Sequence, residues 1–249
     1  MADYELLREL CRARGVSGRE DEVRQILLRE ASPHGTCRID RLGNLIVEKK
    51  GAARPKETLM LSAHMDEVGL IVTRVTAEGY LHFETVGGID GKILPGIQVY
   101  IGPKAVPGVI GAKAVHLMTE SEKETPLKPD QMFIDIGAET REEAERAVCC
   151  GDEVSFGSAF CRRGGVISGR ALDDRAGCAL LIELLRRPLP YDMTFAFLVQ
   201  EEVGLRGARA AAFGVAPQSA IVVEATTAAD VAGKTGLPVG RRAGCQLYG

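Results

Sequence analysis

Thr58-Leu59-Met60-Leu61-Ser62-Ala63 runs directly into His64-Met65-Asp66, and the reading of this stretch decides the fold. A short, nearly continuous apolar run is what a strand shows when both of its faces are buried, and residues 193–199 and 220–223 have the same character. Residues 175–187 instead carry Cys178, Leu181, Ile182 and Leu185 at helical spacing, which predicts a helix packed on the sheet. Upstream, Tyr4, Leu7, Leu10 and Cys11 predict a first helix. Ser17 and Glu20 have the spacing of a capping box ahead of a second helix, marked by Val23, Ile26 and Leu27. Residues 39–47 alternate around Gly43-Asn44 as a hairpin does. The expected fold class is α/β, a mixed central sheet flanked by helices.

Residues 68–165 have a different texture. Gly87-Gly88, Gly91, Pro95-Gly96, Pro103 and Pro107-Gly108 separate short β-rich pieces at 69–75, 99–101 and 131–136. Thr140 and Glu143 can cap one helix, over 142–148. Buried-type strands lie on both sides of this region, so it reads as a small β-rich domain (68–165) inserted into an α/β domain made of 1–67 and 166–249.

Composition narrows the function classes. The chain has 249 residues, 45% apolar and 26% charged, which is ordinary globular usage. A formal net charge of -3 gives no electrostatic reason to expect nucleic acid or an anionic membrane as partner. The first fifteen residues are charged throughout and no apolar run approaches the ~20 residues of a membrane span, so a cytoplasmic location is expected. Seven cysteines (11, 37, 149, 150, 161, 178, 245) form no CxxC pair and are expected as free thiols in the core.

Each buried run ends in polar, metal-ligating residue types: His64 and Asp66 after the first, Glu201 and Glu202 after the second, Glu224 after the third. Asp173-Asp174 opens the helix after the insert. Ligands bind beyond the carboxyl ends of strands in open α/β sheets, and hard carboxylate oxygens with one imidazole suit a pair of zinc-like or cobalt-like ions. Each residue taken singly has an ordinary structural explanation, Asp173-Asp174 as a helix start among them. Three strands ending in the same chemistry make the joint coincidence improbable.

Three segments carry a specific resemblance: Ala63-His64-Met65-Asp66-Glu67-Val68-Gly69, Gly169-Arg170-Ala171-Leu172-Asp173-Asp174-Arg175-Ala176-Gly177, and Gln200-Glu201-Glu202-Val203-Gly204-Leu205-Arg206-Gly207-Ala208. They resemble the motifs of the glutamyl, deblocking and tetrahedral aminopeptidases, peptidase family 42 of the metallo class. The similarity runs from the first helix to about residue 240. It implies a metal-dependent aminopeptidase with two divalent ions, zinc or cobalt, acting on peptides. His64 and Glu224 would hold one ion, Glu202 the other, and Asp173 would bridge them. Asp66 would orient His64, Glu201 would be the general base, and Asp174 would support its turn through a cis peptide bond. Most relatives carry Asp where Glu224 stands. The insert would be a PDZ-like domain pairing subunits toward a twelve-subunit homo-oligomer.

One departure stands out. The family has a further His ligand downstream of the Glu224 position, whereas here no His follows Glu224; the others are His34, His82 and His116. Residues 239–249, with Arg241-Arg242 and Cys245, show no strong helical or strand period. These features lead us to expect a truncated product, a weakened second metal site, little peptidase activity and an exposed apolar sheet edge. A glycosidase with paired carboxylates is an alternative that leaves His64 with Asp66 unexplained and lacks Trp for sugar stacking. A non-catalytic assembly subunit is another.

Overall fold

Leu61, Ala63, Phe195, Phe197, Leu45 and Val47 enter one apolar cluster, while their chain neighbours Met60, Ala196, Leu198 and Ile46 enter another. That period-two sorting is possible only in strands covered on both faces. The computed structural model describes residues 4–119, 127–157, 159–226 and 247–248.

In chain order the α/β elements begin with α1 (Tyr4–Arg12), α2 (Asp21–Ala31), β1 (Thr36–Ile39), β2 (Leu45–Lys49) and β3 (Leu59–His64). The segment between Glu67 and Ala159 carries β4 (Gly69–Val75), β5 (Leu81–Val86), β6 (Gln98–Ile101), β7 (Val106–Ala112), β8 (Met132–Asp135), α3 (Arg141–Ala147) and β9 (Glu153–Phe156). Then follow β10 (Cys161–Arg163), β11 (Val166–Ser168), α4 (Leu172–Leu185), β12 (Met193–Leu198), α5 (Arg206–Val215), β13 (Ser219–Val222) and β14 (Leu247–Tyr248).

Two compact units result, Met1–Asp66 with Phe160–Gly249, and Glu67–Ala159. The first holds a six-stranded mixed sheet in the order β1-β2-β12-β3-β13-β14, with β12, β3 and β13 mutually parallel. Helices α1, α2 and α4 cover one face through Leu10, Val23, Leu27, Leu181 and Ile182, and α5 covers the other through Ala211. The second unit is a closed barrel, β4-β5-β8-β7-β6-β9, filled by Leu70, Phe83, Val99, Ile101, Ile110 and Ile134. Closure leaves no free strand edge. Thr140 caps α3 by accepting the Glu143 N–H at 3.2 Å.

Several expectations need correction. Residues 160–165, with β10, are expected in the insert by their texture; they group with the first unit, which resumes at Phe160, and there the Arg162 guanidinium lies 3.9 Å over the Tyr4 ring. β13 is not buried on both faces: Ser219 and Val222 are exposed, Val222 at 40%, and Ala220 and Ile221 are half-buried. Pairing of β14 with Ala220 and Ile221 gives the tail one short strand, Leu247–Tyr248; residues 239–246, with Arg241, Arg242 and Cys245, lie outside the described residues. Of the thiols, Cys11 and Cys178 are core residues and Cys37 is half-buried, whereas Cys149, Cys150 and Cys161 are exposed.

Ser17 and Glu20 form no capping box either. Glu20 itself occupies the N-cap of α2 without a side-chain cap bond, and both side chains are engaged elsewhere.

One buried polar residue fixes how the chain leaves β12. Asn44 accepts the Val199 N–H at 2.9 Å and donates to the Gly207 carbonyl at 2.9 Å and the Asp40 carboxylate at 2.7 Å. The start of α5 is thereby pinned against the end of β12, and the loop 200–206 is stretched between two fixed points. Gly207 makes the approach possible, since a Cβ there would lie 2.1 Å from the Val199 carbonyl oxygen and 2.6 Å from Asn44 Oδ1. Replacing Gly207 with Ala should lower the unfolding free energy by about 1–3 kcal/mol, the usual range for overpacking, as read from urea melts. An unchanged midpoint would show that the β12–α5 junction yields.

Candidate functional site

Because β3, β12 and β13 are parallel, their carboxyl ends lie along one edge of the sheet, where side chains can project without breaking the ladder. His64 closes β3 in register with Leu198, and the Met65 N–H donates to the Leu198 carbonyl at 2.7 Å. Gln200, Glu201 and Glu202 follow β12. Glu224 follows β13, whose exit is tied by the Val223 N–H donating to the Ser62 carbonyl at 2.8 Å. The first turn of α4 is not helical at Asp173 (φ -83°, ψ 109°) or Asp174 (φ -119°, ψ 42°), and the peptide bond between them is cis. Arg175, wholly buried, donates to the Leu10 carbonyl at 2.6 Å and so anchors this turn to the C-terminal end of α1.

The structure brings every sequence-nominated ligand into two donor groups. His64, Asp173 and Glu224 form one; His64, Glu201 and Glu202 form the other, each with one ligand atom apiece lying within 4.8 Å of the rest. His64 Nε2 is 3.1 Å from Asp173 Oδ1 and 3.6 Å from Glu224 Oε1. Two ligands at ~2.0–2.2 Å from a tetrahedral ion stand about 3.3–3.6 Å apart, so this set fits a zinc-sized cation with shifts of a few tenths of an ångström. The shared member of the two groups is His64, where the resemblance gives that place to Asp173. His34, His82 and His116 belong to neither group.

Asp66 does more than orient an imidazole. Its carboxylate, 0% exposed, accepts the Ser17 hydroxyl at 2.6 Å and the Glu202 N–H at 3.2 Å on Oδ2, and the Glu201 N–H at 2.9 Å on Oδ1. His64 Nδ1 lies 3.2 Å from the Asp66 carbonyl oxygen and 3.4 Å from Oδ1. Burial by itself would raise the Asp66 pKa; the bonds from His64, Ser17 and the Glu201 amide outweigh it and hold the group below the usual carboxylate range. Ser17, Glu20 and Asn44 are supporting residues that the sequence reading assigns to local turns and not to the site. Ser17 and Glu20 show only a capping-box spacing and Asn44 only a turn, and the burial of Glu20 and Asn44 is not visible along the chain.

Acidic groups outnumber the single imidazole. Burial opposes a charged His64, but Asp173, Asp66 and Glu224 raise its pKa far above the ordinary value. Asp174 is pushed up to about 8, by burial first and then by the Glu224 charge. Its Oδ1 accepts the Gly177 N–H at 3.0 Å, while Oδ2, also buried, finds no hydrogen-bond partner among the described residues. Burial likewise raises Glu201 and Glu202, with His64 pulling the other way. A site this rich in repelling carboxylates suits multivalent cations, which would relieve the repulsion directly.

The M42 glutamyl aminopeptidase family model matches residues 43–244. The chain belongs to that family. Among M42 relatives, FrvX of Escherichia coli (strain K12), which carries an aminopeptidase name, is 41% identical across 99% of this chain and 72% of its own length. The TET aminopeptidase from the marine sediment archaeon Thaumarchaeota archaeon SCGC AB-539-E09 superposes with a TM-score of 0.88 at 38% identity, covering 93% of this chain and 67% of that one. PhTET1-12s, solved as a dodecamer, superposes with a TM-score of 0.79 at 39% identity over 90% and 68%. Among the described residues no helix is long and apolar enough to cross a membrane.

The Asp66 geometry yields a test. Asp66→Asn replaces one acceptor oxygen by an amide that cannot accept from Ser17 or Glu202. We expect a loss of roughly 1–3 kcal/mol in unfolding free energy, the range for buried groups left unsatisfied. Zinc affinity should fall about 10–100-fold. Calorimetric titration showing wild-type zinc affinity would contradict the bonding role given to this carboxylate.

Proposed function

We propose that this chain is a metal-dependent aminopeptidase that removes N-terminal residues from peptides and uses two divalent ions, zinc or cobalt. The observation that carries the proposal is the pair of donor groups meeting at His64. Family membership supplies the peptidase class. His64, Asp173 and Glu224 would hold one ion. Glu202 would hold the other, with Asp173, whose side chain is 58% exposed, turned to serve both. Such ions, when bound, would polarise the scissile carbonyl and bring the pKa of water toward neutrality.

The remaining work falls to the chain itself. Glu201, raised by partial burial, would take a proton from the attacking water and pass it to the leaving amine. Asp66 would fix the ring of His64 and, through the two amides it binds, the backbone from which Glu201 and Glu202 project. Excess carboxylate charge at the strand tips favours a substrate bearing a free α-ammonium group, consistent with cleavage from the amino end.

Within the second donor group, Glu201 is assigned to proton transfer and His64 to the first ion, which leaves Glu202, with the bridging Asp173, as the ligands of the second. We therefore expect unequal affinities for the two ions and low turnover by the 249-residue chain. The barrel is proposed as a PDZ-like pairing domain, and its exposed Ile93, Val109 and Leu117 supply apolar surface for contacts between subunits of a homo-oligomer. A cytoplasmic location belongs to the same proposal.

Metal analysis and peptidase assays test this together. Leucine p-nitroanilide should be hydrolysed slowly, faster with excess zinc or cobalt, and not at all after chelation. Glu201→Gln should lower kcat by about 10²–10⁴-fold, the contribution of a positioned general base. Chelator-insensitive turnover would overturn the metallopeptidase assignment, and two equally tight ions with rapid turnover would overturn the expected inequality.

A further inference from the structure

Glu201 and Glu202 pose a positional problem. Among the described residues their side chains make no hydrogen bond or ion pair, so the placement of both carboxylates depends on the backbone that carries them. That backbone is unusual, because Gln200 adopts the left-handed region at φ 53°, where a non-glycine residue is disfavoured by roughly 1–2 kcal/mol. Something must hold it there.

Three successive amides supply the answer. The Gln200 N–H donates to Glu20 Oε1 at 3.2 Å, the Glu201 N–H to Asp66 Oδ1 at 2.9 Å, and the Glu202 N–H to Asp66 Oδ2 at 3.2 Å. Glu20 is 3% exposed and its Oε1 also accepts the Gly18 N–H at 2.6 Å, which folds the Ser17–Glu20 turn onto this carboxylate. Ser17 completes the set from the same turn, donating its hydroxyl to Asp66 Oδ2 at 2.6 Å. The turn is anchored in its own right. Arg14 bonds the Glu22 carboxylate through its backbone N–H and Nε, both at 2.9 Å, and Arg170 donates to the Ala13 carbonyl at 2.7 Å.

We propose that Ser17 and Glu20 are positioning residues of the active site: the turn between α1 and α2 acts as a latch that sets where Glu201 and Glu202 stand relative to His64. Ser17 reaches them through Asp66, and Glu20 through the Gln200 amide. Neither belongs to the two donor groups. Charge-assisted bonds to buried carboxylates are the stronger class of hydrogen bond, and groups that orient metal ligands from behind change affinity or activity when removed. The inference rests on the aminopeptidase reading only for its consequence in metal binding and turnover; the latch itself is a statement about the backbone.

The test uses the full chain as wild type, Ser17→Ala, Ser17→Thr and Glu20→Gln. Hydrogen exchange is followed at the amides of residues 200–202 and, as an internal reference, of 195–198 in β12. Zinc affinity is read by competition with a chromophoric chelator, and kcat and KM with leucine p-nitroanilide. The latch predicts faster exchange at 200–202 in Ser17→Ala and Glu20→Gln with the β12 amides unchanged. It also predicts zinc affinity or kcat lowered about 10–100-fold. Recovery is expected in Ser17→Thr, which keeps the hydroxyl. Exchange that stays at the wild-type rate at 200–202, or that accelerates equally through β12 as a merely structural change would make it do, overturns the latch. A wild-type chain that takes up no zinc overturns the metallopeptidase reading instead, and the exchange data still decide on the latch.

Discussion

The carboxylate of Asp66 is the constraint on which the rest of the site depends. It sits just beyond the end of β3 with no exposure to solvent, yet its pKa stays below the usual range, because three donors from two distant parts of the chain converge on it with His64 beside them. One is the Ser17 hydroxyl and two are the amides of Glu201 and Glu202; His64 approaches from beside it. A buried charge of this kind is tolerated only when fully bonded, so the same requirement that stabilises Asp66 forces the tip of β12 and the α1–α2 turn to meet the tip of β3. Function and folding are linked at this residue.

Around that hub the architecture arranges for acidic groups to crowd one imidazole. Parallel strands bring His64, Glu201, Glu202 and Glu224 to one edge, and the non-helical start of α4 adds Asp173 and Asp174. The supports lie on the flanking elements. Asn44 and Gly207 fix the exit of β12, Arg175 fixes the start of α4 against α1, and Glu20 holds the left-handed Gln200. Left without cations, such a cluster must protonate or repel. Bound cations would relieve that repulsion, in keeping with the metal site proposed for this M42 family member.

Much of this was legible in the residues alone. Apolar runs ending in His or Glu marked the three strands and their chemistry, since a buried strand has a distinct composition and its tip is the one place where charge is tolerated. Less visible were relations across the fold. Ser17 and Glu20 have capping-box spacing, but bonds of Ser17 to Asp66 and of Glu20 to Gln200 outcompeted the local cap. The solvent exposure of Val222 and the grouping of β10 with the first unit are likewise relations across the fold, and neither leaves a periodic trace. Glu224 illustrates the converse: its position was plain from the strand before it, and its distance to His64 needed coordinates.

The most direct measurement is anomalous scattering from crystals of the full chain grown with zinc. The account predicts one strong peak within bonding distance of His64 Nε2, Asp173 and Glu224, and a second, weaker peak beside Glu202. Zinc bound only elsewhere on the molecule, or no peak among these side chains, would contradict it.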